Sequence, residues 1–116
     1  MLVVEDESII RMHTACLPED EGFAVLEAQH SAEAMAVLHK HPNVCLLVTD
    51  VRMPGRIDGL GLVRHARENY PHIRSVVVSG DTSEADALAA GAVRFIPKPY
   101  LPTTIVSAVR DLLKAA

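Results

Sequence analysis

In Val44-Cys-Leu-Leu-Val-Thr-Asp50-Val-Arg-Met-Pro-Gly55 a solidly apolar run closes on an acid and a turn. Its apolar, Val-rich opening suits a strand covered on both faces rather than one half-exposed to water. The run stops on a carboxylate and is followed by turn residues. On either side of this central run at 44–49, short aliphatic runs also occupy residues 2–5, 24–28, 75–79 and 93–97. Between them lie helical patterns at 8–17, 32–41, 60–69, 84–90 and 103–115. In the last of these Ile105, Val109 and Leu112 fall at i, i+4 and i+7, and Val106 and Leu113 widen the stripe. Ser31 is expected to cap the second helix and Gly91 to stop the fourth. Pro18 would cost the first helix a hydrogen bond to Thr14, so that helix should end or bend near Leu17. Strands alternating with helices imply an α/β fold, a five-stranded parallel sheet wound on both faces by right-handed crossovers.

Composition bounds the rest. The chain has 116 residues, enough for one domain with a real core, expected to span residues 1–116 without repeat or linker. It is 49% apolar and 22% charged, which excludes intrinsic disorder. Its aromatics are Phe23, Tyr70, Phe95 and Tyr100, so the core must be aliphatic. Eleven Lys and Arg against fifteen Asp and Glu give a net charge of −4, which argues against direct nucleic-acid binding. Cys16 and Cys45 lack metal-site spacing and are expected to be buried free thiols in a reducing compartment. The longest apolar runs, 34–38 and 44–48, are far short of a membrane span, and the acidic residues after Val4 exclude a signal peptide. A cytoplasmic protein with no membrane contact is expected. His39 and His41 are two apart on a helix, and His13, His30, His65 and His72 are scattered, so no histidine metal site is expected.

In a doubly wound sheet, ligands bind outside the carboxyl ends of the strands, where the strand order reverses. The first strand ends in Glu5-Asp6, the third in Asp50, the fourth in Ser79 and the fifth in Lys98. Singly, each has an ordinary structural role. Acids at Glu5 and Asp6 suit a helix N-terminus, and Asp50 and Ser79 suit turns or caps. Jointly, three carboxylates, a hydroxyl and an ammonium gather at one edge. Packed carboxylates must raise a pKa or hold a cation, and an all-oxygen set selects a hard ion, Mg²⁺ before Zn²⁺.

The strings Val-Val-Glu5-Asp6-Glu, Val-Thr-Asp50-Val-Arg-Met-Pro-Gly, Val-Val-Ser79-Gly-Asp and Phe-Ile-Pro-Lys98-Pro99 resemble, in order and spacing, the receiver domain of two-component response regulators. The resemblance covers essentially the whole chain. It implies a flavodoxin-like (βα)5 fold with strand order 2-1-3-4-5, one of the two common orders of doubly wound sheets. It makes Asp50 the phosphoacceptor for a phosphoryl group from a histidine kinase or a histidine phosphotransfer protein. It implies Mg²⁺, or Mn²⁺ in its place, held by Asp6, Asp50 and the backbone carbonyl of Arg52, with Glu5 acting through water. Lys98 and Ser79 would bind the phosphoryl group, Phe95 would be the switch aromatic, and the Lys98–Pro99 bond would be cis. Output would pass through the face formed by the 84–90 helix, the 93–97 strand and the 103–115 helix.

Some features depart from the commonest family pattern. The loop 53–59 is one residue longer than usual. Arg52 and Asp81, each two residues beyond a site residue, are expected to pair across the site mouth and tune acyl-phosphate lifetime. Ala92-Val-Arg-Phe95 replaces the acidic pair of regulators that dimerise through this face. A stand-alone or kinase-attached receiver, monomeric or weakly dimeric, is therefore expected, with no enzymatic activity beyond self-phosphotransfer and slow autodephosphorylation. Three alternatives stand beside this reading. A haloacid-dehalogenase-like Mg²⁺-dependent phosphatase wants a second acid where Arg52 stands. A phosphorylation-independent pseudo-receiver scaffold would be expected to have lost one of the site residues. A flavodoxin-like or Rossmann cofactor binder wants glycines where Glu5-Asp6-Glu7 stands.

Overall fold

A computed structural model describes residues 1–5, 24–52, 55–98 and 102–114, apart from the side chains of residues 102, 113 and 114. The expected first helix at 8–17, the break at Pro18, and Cys16, Asp6 and Pro99 lie outside the described residues. The described strands are β1 (Leu2–Val4), β2 (Leu26–Ala28), β3 (Leu46–Asp50), β4 (Arg74–Ser79) and β5 (Arg94–Pro97). The described helices are α1 (Ser31–Lys40), α2 (Gly59–Asn69), α3 (Glu84–Ala90) and α4 (Pro102–Lys114). All sheet pairings are parallel, and the strand order is β2-β1-β3-β4-β5, the flavodoxin-like order. The order reverses at β1, so the crevice between β1 and β3 is where such a sheet opens a site.

Successive strand side chains point to opposite faces, and the core divides accordingly. Leu2, Val4, Leu47 and Val77 pack with Ala34 and Leu38 of α1, Leu62, Val63 and Ala66 of α2, and Ala87 and Ala90 of α3. Val3, Val48, Val76, Val78 and Ile96 pack with Ile105, Ala108, Val109 and Leu112 of α4. Ile105, Val106, Val109 and Leu112 of the stripe read from the sequence are thus on the buried face of α4, and the Leu113 side chain lies outside the described ones. Each Leu or Ile so enclosed contributes about 1.5–3 kcal/mol of transfer free energy. With half the chain apolar and almost no rings, these aliphatic contacts on both sheet faces are what holds the layers together.

Several expectations shift. The residue that caps α1 is His30, not Ser31. His30 has an extended backbone and its Nδ1 accepts from the Glu33 amide at 3.1 Å. Ser31 is buried and spends its hydroxyl on the carbonyl of Asp58 at 3.3 Å, which ties α1 to the entry of α2. Asp58 caps α2 through the Gly61 amide at 2.9 Å. Gly91 does terminate α3, with φ of 120°. Residues 44 and 45 precede the strand: the Val44 amide bonds back to His41, and the Cys45 carbonyl takes the Arg74 amide. Cys45 is consequently free but exposed, not buried, because it stands at the sheet edge before the covered part of β3 begins. Among the described residues, no helix is long and apolar enough to cross a membrane.

Candidate functional site

Strand register assembles the site. Val4 lies opposite Thr49 across the β1–β3 ladder, so the next residues, Glu5 and Asp50, leave their strands side by side. Asp50 is level with Val78 on β4, and Ser79 with Pro97 on β5. Lys98 follows directly, its amide held by the Ser79 carbonyl at 2.9 Å. Parity then selects the face. Val3, Val48 and Ile96 share one face, and two residues on from each are Glu5, Asp50 and Lys98. Register and alternation together aim these three charged side chains into one crevice.

The Lys98 ammonium sits between both acids, 2.9 Å from Asp50 Oδ2 and 3.0 Å from Glu5 Oε1. Glu5 is only 4% exposed, a depth at which a carboxylate is rarely found unless it is paired. Burial works against the Lys98 charge, but the hydrogen bonds it donates to Asp50 and Glu5, with the negative charges of those two acids, more than offset it. The net effect holds the ammonium above its ordinary range. The second oxygen of Asp50, Oδ1, accepts the Val51 amide at 2.7 Å. Among the described residues, two carboxylates against one ammonium leave the crevice negative and lined with hard oxygen donors, a set that fits a divalent cation such as Mg²⁺. Asp6, the expected direct ligand, lies outside the described residues, as does Pro99 with its expected cis bond.

The rim is a second set of contacts. Ser79 is buried, and its hydroxyl accepts the amides of Thr82 at 3.1 Å and Asp81 at 3.3 Å. The same hydroxyl donates to Asp81 Oδ1 at 3.2 Å. Asp81 in turn binds Arg52 Nε through Oδ2 at 2.6 Å, so a continuous path runs from Ser79 through Asp81 to Arg52. Phe95 lies one strand over, level with Val77, half-buried against the core of α1, α2 and α3. Of the expected residues, the structure brings together Glu5, Asp50 and Lys98 as one cluster and Ser79, Asp81 and Arg52 as its rim.

Sequence reasoning missed three things here. It gathered Glu5 and Lys98 at one edge without pairing them, although Glu5 stands as near to Lys98 as Asp50 does. It overlooked the Thr49 hydroxyl, which donates to the Asp50 carbonyl at 2.8 Å. It also passed over Gly59, where a Cβ would land on the Asp50 carbonyl oxygen, so only glycine lets α2 start this close to β3. The Asp-Gly pair at 58–59, a cap followed by the smallest residue, was the available signal.

Comparison with known proteins agrees with this architecture. The family described as the response regulator receiver domain matches residues 1–110. A chemotaxis protein CheY homolog of Campylobacter jejuni is 35% identical over 97% of this chain and 91% of its own length. The hydrogenase transcriptional regulatory protein HoxA of Cupriavidus necator is 36% identical over 99% of this chain, which spans about a quarter (24%) of that protein. The crystal structure of the receiver domain of NtrX from Brucella abortus superposes with a TM-score of 0.90 at 28% identity, covering 99% of this chain and 98% of the other. With the family matching nearly the whole chain, and with a relative of similar length sharing a third of its residues, this chain belongs to the response regulator receiver domain family.

Proposed function

We propose that the chain is the phosphoacceptor of a two-component or phosphorelay system, with Asp50 as the residue that takes the phosphoryl group. The family is one of signalling modules that work with kinases and output domains. The observation that carries the assignment is the Lys98 ammonium shared by Asp50 and Glu5 at the strand-order reversal. An Asp50 carboxylate oxygen attacks the phosphorus of a phosphohistidine on a histidine kinase or histidine phosphotransfer protein. The O–P bond forms as the P–N bond breaks. The P–N electron pair stays on the imidazole nitrogen, which takes a proton from solvent. An anion approaching an anion needs its charge neutralised. Lys98, already beside Asp50, can follow the new phosphoryl oxygen with a charge-assisted bond. Asp6, Asp50 and the Arg52 carbonyl, with Glu5 through water, would hold Mg²⁺, which supplies the remaining positive charge.

The switch follows from the rim. Ser79 would exchange its bond to Asp81 for one to the phosphoryl oxygen, and Phe95 would turn inward. That shifts the population of the face made by α3, β5 and α4, where Leu88 and Val93 are about half exposed and offer an output partner apolar contact. The Arg52–Asp81 pair closes the rim and would slow attack by water on the acyl phosphate. A cytoplasmic setting suits a partner that carries phosphohistidine.

The decisive experiment is incubation with acetyl phosphate and Mg²⁺ followed by intact mass. The wild type should gain one phosphoryl group and Asp50→Asn none, with unchanged far-UV circular dichroism. A phosphorylated Asp50→Asn protein would sink the assignment. Arg52→Ala should lose its phosphoryl group severalfold faster than wild type; equal rates would remove Arg52 and Asp81 from any role in lifetime.

A further inference from the structure

We propose that Thr49 is a positioning residue for the Asp50 carboxylate, acting through the Asp50–Val51 peptide. Thr49 is wholly buried, and its strand partners, Val4 and Val77, belong to the core under α1, α2 and α3. Asp50, the next residue along, therefore sends its carboxylate to the opposite face, toward Glu5 and Lys98. The Thr49 hydroxyl does not stay within its own apolar surroundings; it donates to the Asp50 carbonyl at 2.8 Å. Gly59 lies against the same carbonyl oxygen, and the Gly59 amide holds the following carbonyl, that of Val51, at 2.8 Å.

In a planar trans peptide the C=O and N–H point in opposite directions. Fixing the Asp50 carbonyl toward Thr49 and Gly59 thus fixes the Val51 N–H toward the crevice. There it donates to Asp50 Oδ1 at 2.7 Å. With Oδ1 held by the backbone, Oδ2 is the oxygen presented to Lys98 at 2.9 Å. A hydroxyl on one face of the sheet in this way selects which carboxylate oxygen the other face presents. A valine at 49 would fill the same space and leave the peptide free to rock, loosening the Oδ1 bond. The consequence for phosphotransfer rests on Asp50 being the phosphoacceptor; the consequence for the peptide does not.

The test compares Thr49→Val and Thr49→Ser with wild type by two measurements. The first is the Val51 amide resonance and its hydrogen exchange by ¹⁵N–¹H NMR. In Thr49→Val this resonance should move upfield and exchange faster, and in Thr49→Ser it should return close to wild type. The second is the rate of phosphorylation by acetyl phosphate with Mg²⁺. Thr49→Val should fall roughly tenfold at saturating donor, with the half-saturating concentration unchanged and Thr49→Ser restored. An unmoved Val51 amide in Thr49→Val overturns the proposal, as does a serine variant that behaves like the valine one. If wild type takes no phosphoryl group, the phosphoacceptor assignment fails while the Val51 amide still decides the role of Thr49. If Thr49→Val does not fold, Thr49→Ala takes its place, and alanine and serine variants with equal amide shifts reject the proposal.

Discussion

At the scale of the residue, Lys98 carries the largest electrostatic responsibility. Its ammonium lies beside both Glu5 and Asp50, and about a quarter (26%) of its side chain remains exposed. Its folded-state affinity for the proton is raised above the ordinary lysine value of 10.5. The stabilisation this represents is therefore complete below that value and disappears as pH rises through the higher folded one. Wild type should lose stability as pH climbs past the usual lysine range. Lys98→Met keeps most of the aliphatic stem, so its stability should lack that component of the alkaline decline. At pH 7 the same variant leaves two adjoining carboxylates without their shared ammonium, at a cost of about 1–3 kcal/mol for a pair that is partly solvated. Urea midpoints measured from pH 7 to pH 12 check both statements. Parallel curves for the two proteins would show that Lys98 is no more than a surface charge. The partnership with Glu5 was not legible from spacing because no short-range pattern links residues 5 and 98. It arises only when strand register is known. Asp50, by contrast, could be read directly, because an apolar run that ends on an acid before Met-Pro-Gly puts that acid at the carboxyl end of a strand.

At the scale of the element, ends matter more than middles. The strand and helix interiors follow their apolar periods, and the sequence reading of the order and type of the described elements holds. Their boundaries are set by single hydrogen bonds that compete locally. Ser31 looks like a cap in the sequence, yet its hydroxyl is drawn into a tertiary bond to Asp58, and His30 takes the capping role. A tertiary partner 27 residues along is invisible to a local rule. Gly91 behaves as the local rule says, since its φ of 120° is a conformation L residues avoid. Gly55 is similar, with φ of 112°, but the two differ in what surrounds them. A Cβ at Gly55 would meet open space, whereas one at Gly91 would lie 2.9 Å from Arg67 Cδ. Arg67 is not free to retreat without cost, because its Nη1 donates to the Ala89 carbonyl at the end of α3. Gly55→Ala should cost about 1–2 kcal/mol from backbone strain alone, and Gly91→Ala more, about 2–3 kcal/mol. Urea unfolding at constant slope would measure both. In an Arg67→Ala background the two glycine substitutions should become equal; a gap that persists would place the extra cost elsewhere than Arg67.

At the scale of the molecule, the fold stores negative charge where its strand order reverses. The aliphatic clusters on the two sheet faces hold β1 and β3 in register, and that register forces Glu5 against Asp50 whether or not a ligand is present. Among the described residues, one ammonium between two carboxylates leaves this crevice net negative in the folded state, a charge density that the unfolded chain would disperse into water. A cation that binds only the folded crevice relieves this and stabilises the whole domain by RT ln(1 + [L]/Kd), about 2.7 kcal/mol at a hundredfold excess over Kd. Mg²⁺ should therefore raise the urea midpoint of wild type in a saturable way, and the rise should be absent on adding EDTA. Asp50→Asn should start from a higher midpoint without metal, because it removes the repulsion, and should gain less on adding Mg²⁺. Leu62→Ala, a cavity in the apolar core under α1, α2 and α3, should lower the stability by about 2–5 kcal/mol yet keep the full Mg²⁺ increment. The contrast separates the two contributions, since core packing sets how stable the sheet is and the crevice sets how that stability answers to a cation. An equal Mg²⁺ increment in wild type and Asp50→Asn would mean that the ion binds elsewhere, and the crevice would then be an ordinary buried ion pair rather than a cation site.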